Sequence, residues 1–423
     1  MNINTFRAFN SRNYRLYFCG QSISLIGTWM QRTAVYWVIY TATHSAPMLG
    51  LAVFAAQFPS FLFSPLGGVV SDRYNRYRVM IITQVASLIQ AVLLVVVVLF
   101  THYALWEIFA LSALLGTINA FDMPARQSMV NEIINHKEDL PNAIALNSSM
   151  VNIARLIGPA ISGIVLQKMG AGTCFLINAI SFIVVILCLL LMRLPKYIHQ
   201  KHTKKIIHEF KEGWKYLKCT PSITLVLLLI ACISISVLPF TTLLPVFAKV
   251  IFKGNAATFG YLNSAIGLGA LGGALFLATL KAGSNLKKIL FINLLILGVG
   301  LILFSHITTL PIALLFAMLA GFGMMSQTTI TNTIIQTNVS KEMRGRVLSY
   351  FGMAYFGMLP LGGLMIGVVS QYIGAPNTIL AEGILAILIA FVFLPFLRKD
   401  ILEEKDKLTI IELEDPAVTI NNK

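Results

Sequence analysis

The chain has 423 residues, 57% of them hydrophobic and only 12% charged. A soluble domain carries about 25% charge, so this chain lacks the polar side chains to cover a water-facing surface, and a soluble globular domain is excluded. The formal charge of +15 would suit a nucleic-acid partner, but the placement of the basic residues, traced below, excludes that reading too.

Apolar runs of about 20 residues recur along the whole length, the reach of a membrane-crossing helix. A segment crossing lipid must satisfy its own backbone hydrogen bonds, so helices follow, and the alternation that barrel strands need is missing. The pattern predicts an all-α integral membrane protein with twelve spans, at 14–41, 47–70, 79–100, 104–123, 142–168, 172–193, 221–249, 257–280, 287–305, 309–336, 346–371 and 376–397. They divide into an N-terminal six-helix half (1–193), a cytoplasmic amphipathic linker (194–220), a C-terminal six-helix half (221–397) and a cytoplasmic tail (398–423). With the N-terminus inside, the cytoplasmic segments hold 27 of the 32 Lys and Arg. This bias puts both termini in the cytoplasm, with the chain in a bacterial-type plasma (inner) membrane. The basic excess then records topology and contact with anionic lipid. The five cysteines form no CxxC pair and read as small apolar packers.

Span 1 follows a basic, aromatic tail holding Arg7 and Arg12, with Arg15 at its start. Its Gln21, Ser24, Thr28 and Gln31 share one helical face. A polar stripe on a span faces a bundle interior or a water-filled cavity. Arg32 lies roughly 26 Å along the helix from Arg15, at about 1.5 Å per residue, and either snorkels to the outer headgroups or faces the cavity. Gln57 is the clearest mid-span polar group of span 2. Residues 65–78, PLGGVVSDRYNRYR, then form a tight polar turn. Span 3 is almost wholly aliphatic. Span 4 ends in NAFDMPARQ (119–127), with Asp122 and Arg126 one turn apart and Pro124 between them as a break signal. In span 5, Ser148, Asn152 and Arg155 share a face, and Arg155 lies roughly 20 Å into the span. A mid-membrane arginine costs at least about 2.5 kcal/mol, so a counter-charge, a carbonyl partner or a substrate is expected beside it. The GPAISG that follows (158–163) reads as a kinked, close-packed helix interface.

Within the linker, KKIIHEFKEGWKYLK puts Ile206, Ile207, Phe210, Trp214 and Leu217 on one face. That amphipathic helix lies on the membrane surface or docks on the cytoplasmic loops. The second half repeats the first weakly: Gly273 and Lys281 echo Gly68 and Arg76, with Leu277 in place of Asp72. Spans 2, 5, 8 and 11 are rich in small residues, which suits two halves touching along those four. Span 10 is unusually polar, with Gln327, Thr331 and Asn338 near one face and Thr328, Asn332 and Gln336 beside it. Glu382 in span 12 either snorkels outward or carries a proton, and snorkelling is the favoured expectation.

Gly68, Asp72, Arg73 and Arg76 form the pattern Gly-x-x-x-Asp-Arg-x-x-Arg, which resembles the loop between helices 2 and 3 of the major facilitator superfamily. Asn75 stands where the family often has Gly. Residues 119–127 resemble the branch that includes the bacterial enterobactin exporter and relatives of macrolide efflux pumps. Gly158, Pro159 and Gly163 resemble the helix 5 motif of antiporter members, with Ser162 where the family has a further Gly. The resemblance implies two pseudo-symmetric halves alternating around a mid-bilayer site, with helices 1, 4, 7 and 10 lining the cavity. The cavity candidates are Gln31, Arg32, Gln57, Asn119, Asn152, Arg155, Gln327 and Thr331. Gly68, Asp72, Arg73, Arg76 and Arg126 become a cytoplasmic gate. In it Asp72 would meet the positive start of span 11 at Arg344 and Arg346 or pair with Arg126.

No ATP-binding P-loop is present. A proton gradient is the expected energy source, with Asp122 as the coupling candidate, its alternative being a purely structural role. No cofactor and no metal are expected. The leading function is proton-coupled export of a small amphipathic compound, a siderophore or drug. An importer of a small solute or metal–siderophore complex is the first alternative. A membrane-embedded enzyme or sensor is the second, although no Ser/His/Asp, HExxH or paired-carboxylate constellation supports an enzyme. The expected partners are a small-molecule substrate and membrane lipids, with no nucleic acid, and a monomer is expected.

Overall fold

Ser11 starts the first long helix by accepting the Tyr14 amide on its hydroxyl, and α1 runs over Arg12–Thr43 to a left-handed His44. The first half continues with α2 (Ala46–Arg73), α3 (Arg76–Phe100), α4 (Leu105–Ile133), α5 (Leu140–Met169) and α6 (Ala171–Leu190). The linker contributes α7 (Ile206–Cys219). The second half holds α8 (Pro221–Ile251), α9 (Ala256–Ala278), α10 (Leu286–Ser305), α11 (Leu310–Asn338), α12 (Arg344–Ile373) and α13 (Ala375–Leu397). The computed structural model describes residues 3–100, 104–193, 206–281, 284–340 and 342–397. Residues 194–205 of the linker and the tail from 398 lie outside the described residues.

Eleven of the described helices are long and apolar enough to cross a membrane. The twelfth long helix, α1, has the length but not the hydropathy, because Gln21, Ser24, Thr28, Gln31 and Arg32 interrupt it. Large apolar side chains stay exposed along outer faces, among them Ile82, Ile89, Val96 and Leu99 of α3 and Leu388 and Val392 of α13. In water such a belt would be a liability, whereas lipid covers it.

Helix 4 corrects the sequence reading. Its end was expected at 123, with Pro124 as the break, yet α4 runs through Pro124 to Ile133. A helical proline cannot donate to the carbonyl four residues earlier and crowds it; here that carbonyl belongs to Ala120. Gly67 of α2 packs directly onto it, so closely that any Cβ would overlap the oxygen. The neighbouring helix thus occupies the gap that proline opens.

Within the first half α1 packs on α5 and α6, α2 on α4, and α3 on α4 and α6; within the second, α9 packs on α11, α10 on α11 and α13, and α8 on α12 and α13. The halves meet along α5 with α9 and α2 with α12. These are the small-residue helices, and the contacts are backbone to backbone. Gly50 touches Gly363, Gly367 touches Ala46, and Gly163 touches Ala256 and Gly260. Trp37 stacks on Phe259 across the same junction, with ring centroids 6.0 Å apart.

These cross-half contacts crowd toward the end opposite the linker, here the far end. They thin out at the level of Phe61 with Gly357 and of Gly267 with Arg155 and Leu156. Beyond that level, toward the linker end, Gly68, Gly345 and Gly352 have nothing within 4 Å of where a Cβ would stand. Gly68 lies five turns beyond Gly50, at about 3.6 residues per turn, so it is on the face that meets α12 at the far end. The two halves are therefore closed at the far end and splayed at the linker end. α7 docks on the splayed end of α12: Glu212 pairs with Arg346 at 2.6 Å, Gly213 sits against Tyr350, and Leu217 is buried. Of the two placements expected for the linker helix, docking on protein is the one observed.

Candidate functional site

The opening between the halves ends at a cluster of cations and rings. From α1 it takes Trp29, Arg32 and Tyr36, and from α5 Asn152 and Arg155. The guanidinium carbons of Arg32 and Arg155 each lie 5.3 Å from the centroid of the Trp29 ring. Arg32 also sits 5.7 Å from the Tyr36 ring, and its Nε donates to the Tyr36 hydroxyl at 3.2 Å. Cation–π contacts of this kind contribute about 0.5–2 kcal/mol. Tyr355 lies within electrostatic reach of Arg155. It belongs to a π-helical turn, Met353–Gly357, in the middle of α12, and such turns concentrate at functional sites. Tyr355 and Phe351 stack nearly parallel, 2° apart.

The cluster contains no acid. Among the described residues neither arginine forms an ion pair, and Arg155 makes no hydrogen bond. Both are half-buried, so they are shielded from bulk water and still reachable through the opening. Two like charges sharing one ring have the chemistry that suits anionic groups, because guanidinium forks bind carboxylates in charge-assisted pairs. Arg32 shares the ring with Arg155, which puts it at the cavity rather than at the headgroups.

The other cavity candidates separate. Gln57, Asn119 and Asn152 are half-buried on the expected helices, with Asn152 donating to the Ser148 carbonyl at 3.0 Å. Gln31 does not line the opening. It is buried between α1, α3 and α6, accepts from Asn178 at 2.7 Å and donates to Gln90 at 3.0 Å. Gln327 and Thr331 are fully buried inside the second half, and Thr331 donates to the Gln327 carbonyl. The less buried polar stripe of α11 is the adjacent one, with Thr328 and Asn332 half-buried and Gln336 exposed. One residue rotates a helix by about a quarter turn, and consecutive polar residues left both stripes open.

At the linker end, Arg76 pairs with Glu132 at 2.6 Å and its Nε donates to the Ser71 carbonyl. Asp72 and Arg73 are exposed. Asp72 meets neither expected partner in this conformation: Arg346 is held by Glu212, and Arg126 by Asp122. The splayed halves keep the α12 start away from Asp72. Pro159 and Gly163 of the antiporter-like motif take part in the far-end closure, while Gly158 packs within the first half. Gly158 packs on Trp29 and Ile26, the Pro159 carbonyl meets Gly260, and Gly163 meets α9. Ser162 donates to the Met30 carbonyl at 3.0 Å, a tie that a glycine would lack.

Asp122 is buried but well supplied. Thr83 donates to its Oδ1 at 2.8 Å, Gln84 at 2.9 Å, and Arg126 lies 3.7 Å from Oδ2. Asp122→Asn keeps the shape, removes the charge and turns an amide donor toward Arg126. It is expected to lower stability by about 2 kcal/mol, in the range for hydrogen bonds to a charged group; a denaturant midpoint equal to wild type would contradict this. Among the described residues, no group of His, Cys, Asp and Glu could hold a metal ion.

Glu382 departs most from expectation. It does not snorkel: it is 2% exposed, and neither carboxyl oxygen has a hydrogen-bond partner. Next to it Gly383 packs on Gly298 and Ile302 of α10, and one turn on Ala386 meets Gly298, so this side of α13 is turned into the half and the buried side chain cannot reach the headgroups.

Two six-helix halves, closed at one end and open at the other onto an unpaired cationic cluster, define a multi-pass membrane transporter of the major facilitator class. The model of the family described as transmembrane secretion effector, MFS_3, matches residues 3–423, and the chain belongs to that family. It is 29% identical to the staphyloferrin A transporter of Staphylococcus aureus (strain NCTC 8325 / PS 47), over 91% of this chain and 96% of that one. It is 23% identical to macrolide efflux protein A of Streptococcus pyogenes, over 90% and 96% respectively. The crystal structure of the nucleoside transporter NupG superposes with a TM-score of 0.72 at 15% identity, covering 91% of this chain and 98% of that one. The chain is thus a membrane transporter of that family and not an enzyme.

Proposed function

We propose that the protein exports a small amphipathic compound bearing anionic groups, a siderophore or drug, across a bacterial plasma membrane in exchange for protons. The carrying observation is the pair of arginines on Trp29 with no acid beside them. The names of the relatives, a staphyloferrin A transporter and macrolide efflux proteins, supply the compound class. The concentration of Lys and Arg at the linker end makes that end cytoplasmic, so the conformation described is inward-open and ready to load from inside. Lipid surrounds a monomer, and no cofactor takes part.

Loading would be followed by rocking of the halves about the α5–α9 and α2–α12 contacts. On closing, the α12 start would approach Asp72, and Gly68, Asp72, Arg73 and Arg76 would act as the cytoplasmic gate. Arg126 joins the gate through Asp122, whose charge is held by Arg126, Thr83 and Gln84. In this reading Asp122 is the proton-coupling residue, because rocking that withdraws Arg126 would break its tie to the gate.

Cells with and without the protein, given a panel of dyes, macrolides and iron chelators, test the direction. Lower internal levels with the protein, restored by an uncoupler, are expected. Higher internal levels would make it an importer, and insensitivity to the uncoupler would remove proton coupling.

A further inference from the structure

We propose that Glu382 is a second proton-binding site of this protein, loaded from the far end of the second half. Two acids are fully buried among the described residues, Asp122 and Glu382. Asp122 has two donors and an arginine. Glu382 has neither donor nor cation, and both its oxygens are sealed from solvent. An ionised carboxylate in such surroundings is not sustained, because nothing replaces the hydration it has lost. A carboxylic acid in the same place brings no net charge into the hydrocarbon.

The surroundings also offer a route. Helices α10 and α13 run antiparallel in close contact: Gly298 meets Gly383 and Ala386, and Ile302 meets Gly383. This register places two buried hydroxyls one turn farther toward the far end, Ser305 on α10 and Thr378 on α13. Ser305 donates to the Ile302 carbonyl at 2.7 Å, and its oxygen lies 2.9 Å from Nδ1 of His306. Thr378 donates to the Gly374 carbonyl at 2.8 Å. His306 is exposed. A titratable surface group and two buried hydroxyls thus lie on the far-end side of the carboxyl, and none of them is bonded to it in this conformation.

No other charge competes for it. On the helices packed against α13, the titratable side chains in the far half are Lys249 of α8, His306 of α10 and Tyr372 of α12, all exposed, with the half-buried Cys232 of α8 nearer the middle. Uptake is a proton arriving on one carboxylate oxygen from the His306 side, leaving a neutral acid. Release needs a change in what surrounds Glu382. α8 packs on α13 and is broken into a 3-10 turn over Leu238–Leu243 and a π turn over Phe247–Ile251, so it can deform when the halves rock. A part in driving transport rests on the proton-coupled reading above; the protonation itself does not.

Infrared spectroscopy of the purified full-length protein at neutral pH tests this without any substrate. Surface acids are ionised there, so a carbonyl stretch of protonated carboxyl should remain in wild type and vanish in Glu382→Gln. Glu382→Asp should keep the band at a shifted position. Transfer to heavy water should shift the wild-type band, and His306→Asn should slow that shift. Thermal unfolding of the Gln variant near wild type excludes misfolding as the cause. A wild-type spectrum without the band, or a band that persists in Glu382→Gln, overturns the site. An exchange rate unchanged in His306→Asn overturns the far-end route. Transport driven by another ion would sink proton coupling and leave the infrared result standing.

Discussion

Arg155→Ala is expected to reduce transport about ten- to 150-fold, the worth of a charge-assisted hydrogen bond of about 1.5–3 kcal/mol to the substrate, while making the protein more stable. The two effects share one cause. Among the described residues Arg155 sits mid-span without an ion pair or hydrogen bond, its guanidinium 5.3 Å from the Trp29 ring. Placing an arginine at that depth costs at least about 2.5 kcal/mol, and the ring returns about 0.5–2 kcal/mol. The alanine variant should therefore gain about 1 kcal/mol, the difference between those two figures. A group that destabilises the empty protein and is kept at the apex of an opening is the signature of a binding residue. Arg155→Lys should fall between the two, since an ammonium keeps the charge but loses the planar fork and the stacking. Transport in proteoliposomes and thermal unfolding in detergent read the two effects separately. Loss of both transport and stability would make Arg155 a packing residue.

Much of this was legible in the sequence, and the missed parts have a common origin. The span boundaries follow apolar runs that lipid demands, and they fall within a few residues of α1 to α3, α5, α6 and α8 to α13. Arg155 stood out because no apolar environment tolerates an arginine without a reason. Gln31, Gln327 and Thr331 were misassigned because a polar residue on a span has two uses, lining a cavity or tying helices together. Composition does not distinguish them; only the identity of the facing helix does, as with Gln90 and Asn178 around Gln31. Glu382 was misjudged for the same reason. Its distance from the helix end allowed snorkelling, but its side of α13 is turned into the half. The Pro124 break failed because the sequence does not reveal that a glycine from another helix fits the vacated space.

Gly68→Leu and Gly163→Leu are expected to push the protein in opposite directions, and both should abolish most transport. In the conformation described, a side chain at Gly68 meets open space. The larger residue should therefore be accepted without loss of stability, yet it stands on the α2 face that must approach α12 when the linker end closes. Gly163 is the reverse case. A Cβ there would press on the backbone of Ala256, Ala257 and Gly260, across the contact that seals the far end. Overpacking costs about 1–3 kcal/mol, enough to move a two-state equilibrium about five- to 150-fold. Gly68→Leu should hold the linker end open, and Gly163→Leu should force the far end apart. Amide hydrogen exchange separates the outcomes. Gly68→Leu should raise exchange at the linker-end turns 344–352 and lower it over 256–264, and Gly163→Leu should do the opposite. Gly67→Leu serves as the control, because its clash with the Ala120 carbonyl lies within one half; it should destabilise without favouring either conformation. If Gly68→Leu and Gly163→Leu gave the same exchange pattern, the α2–α12 and α5–α9 seams would not be the surfaces on which the halves rock.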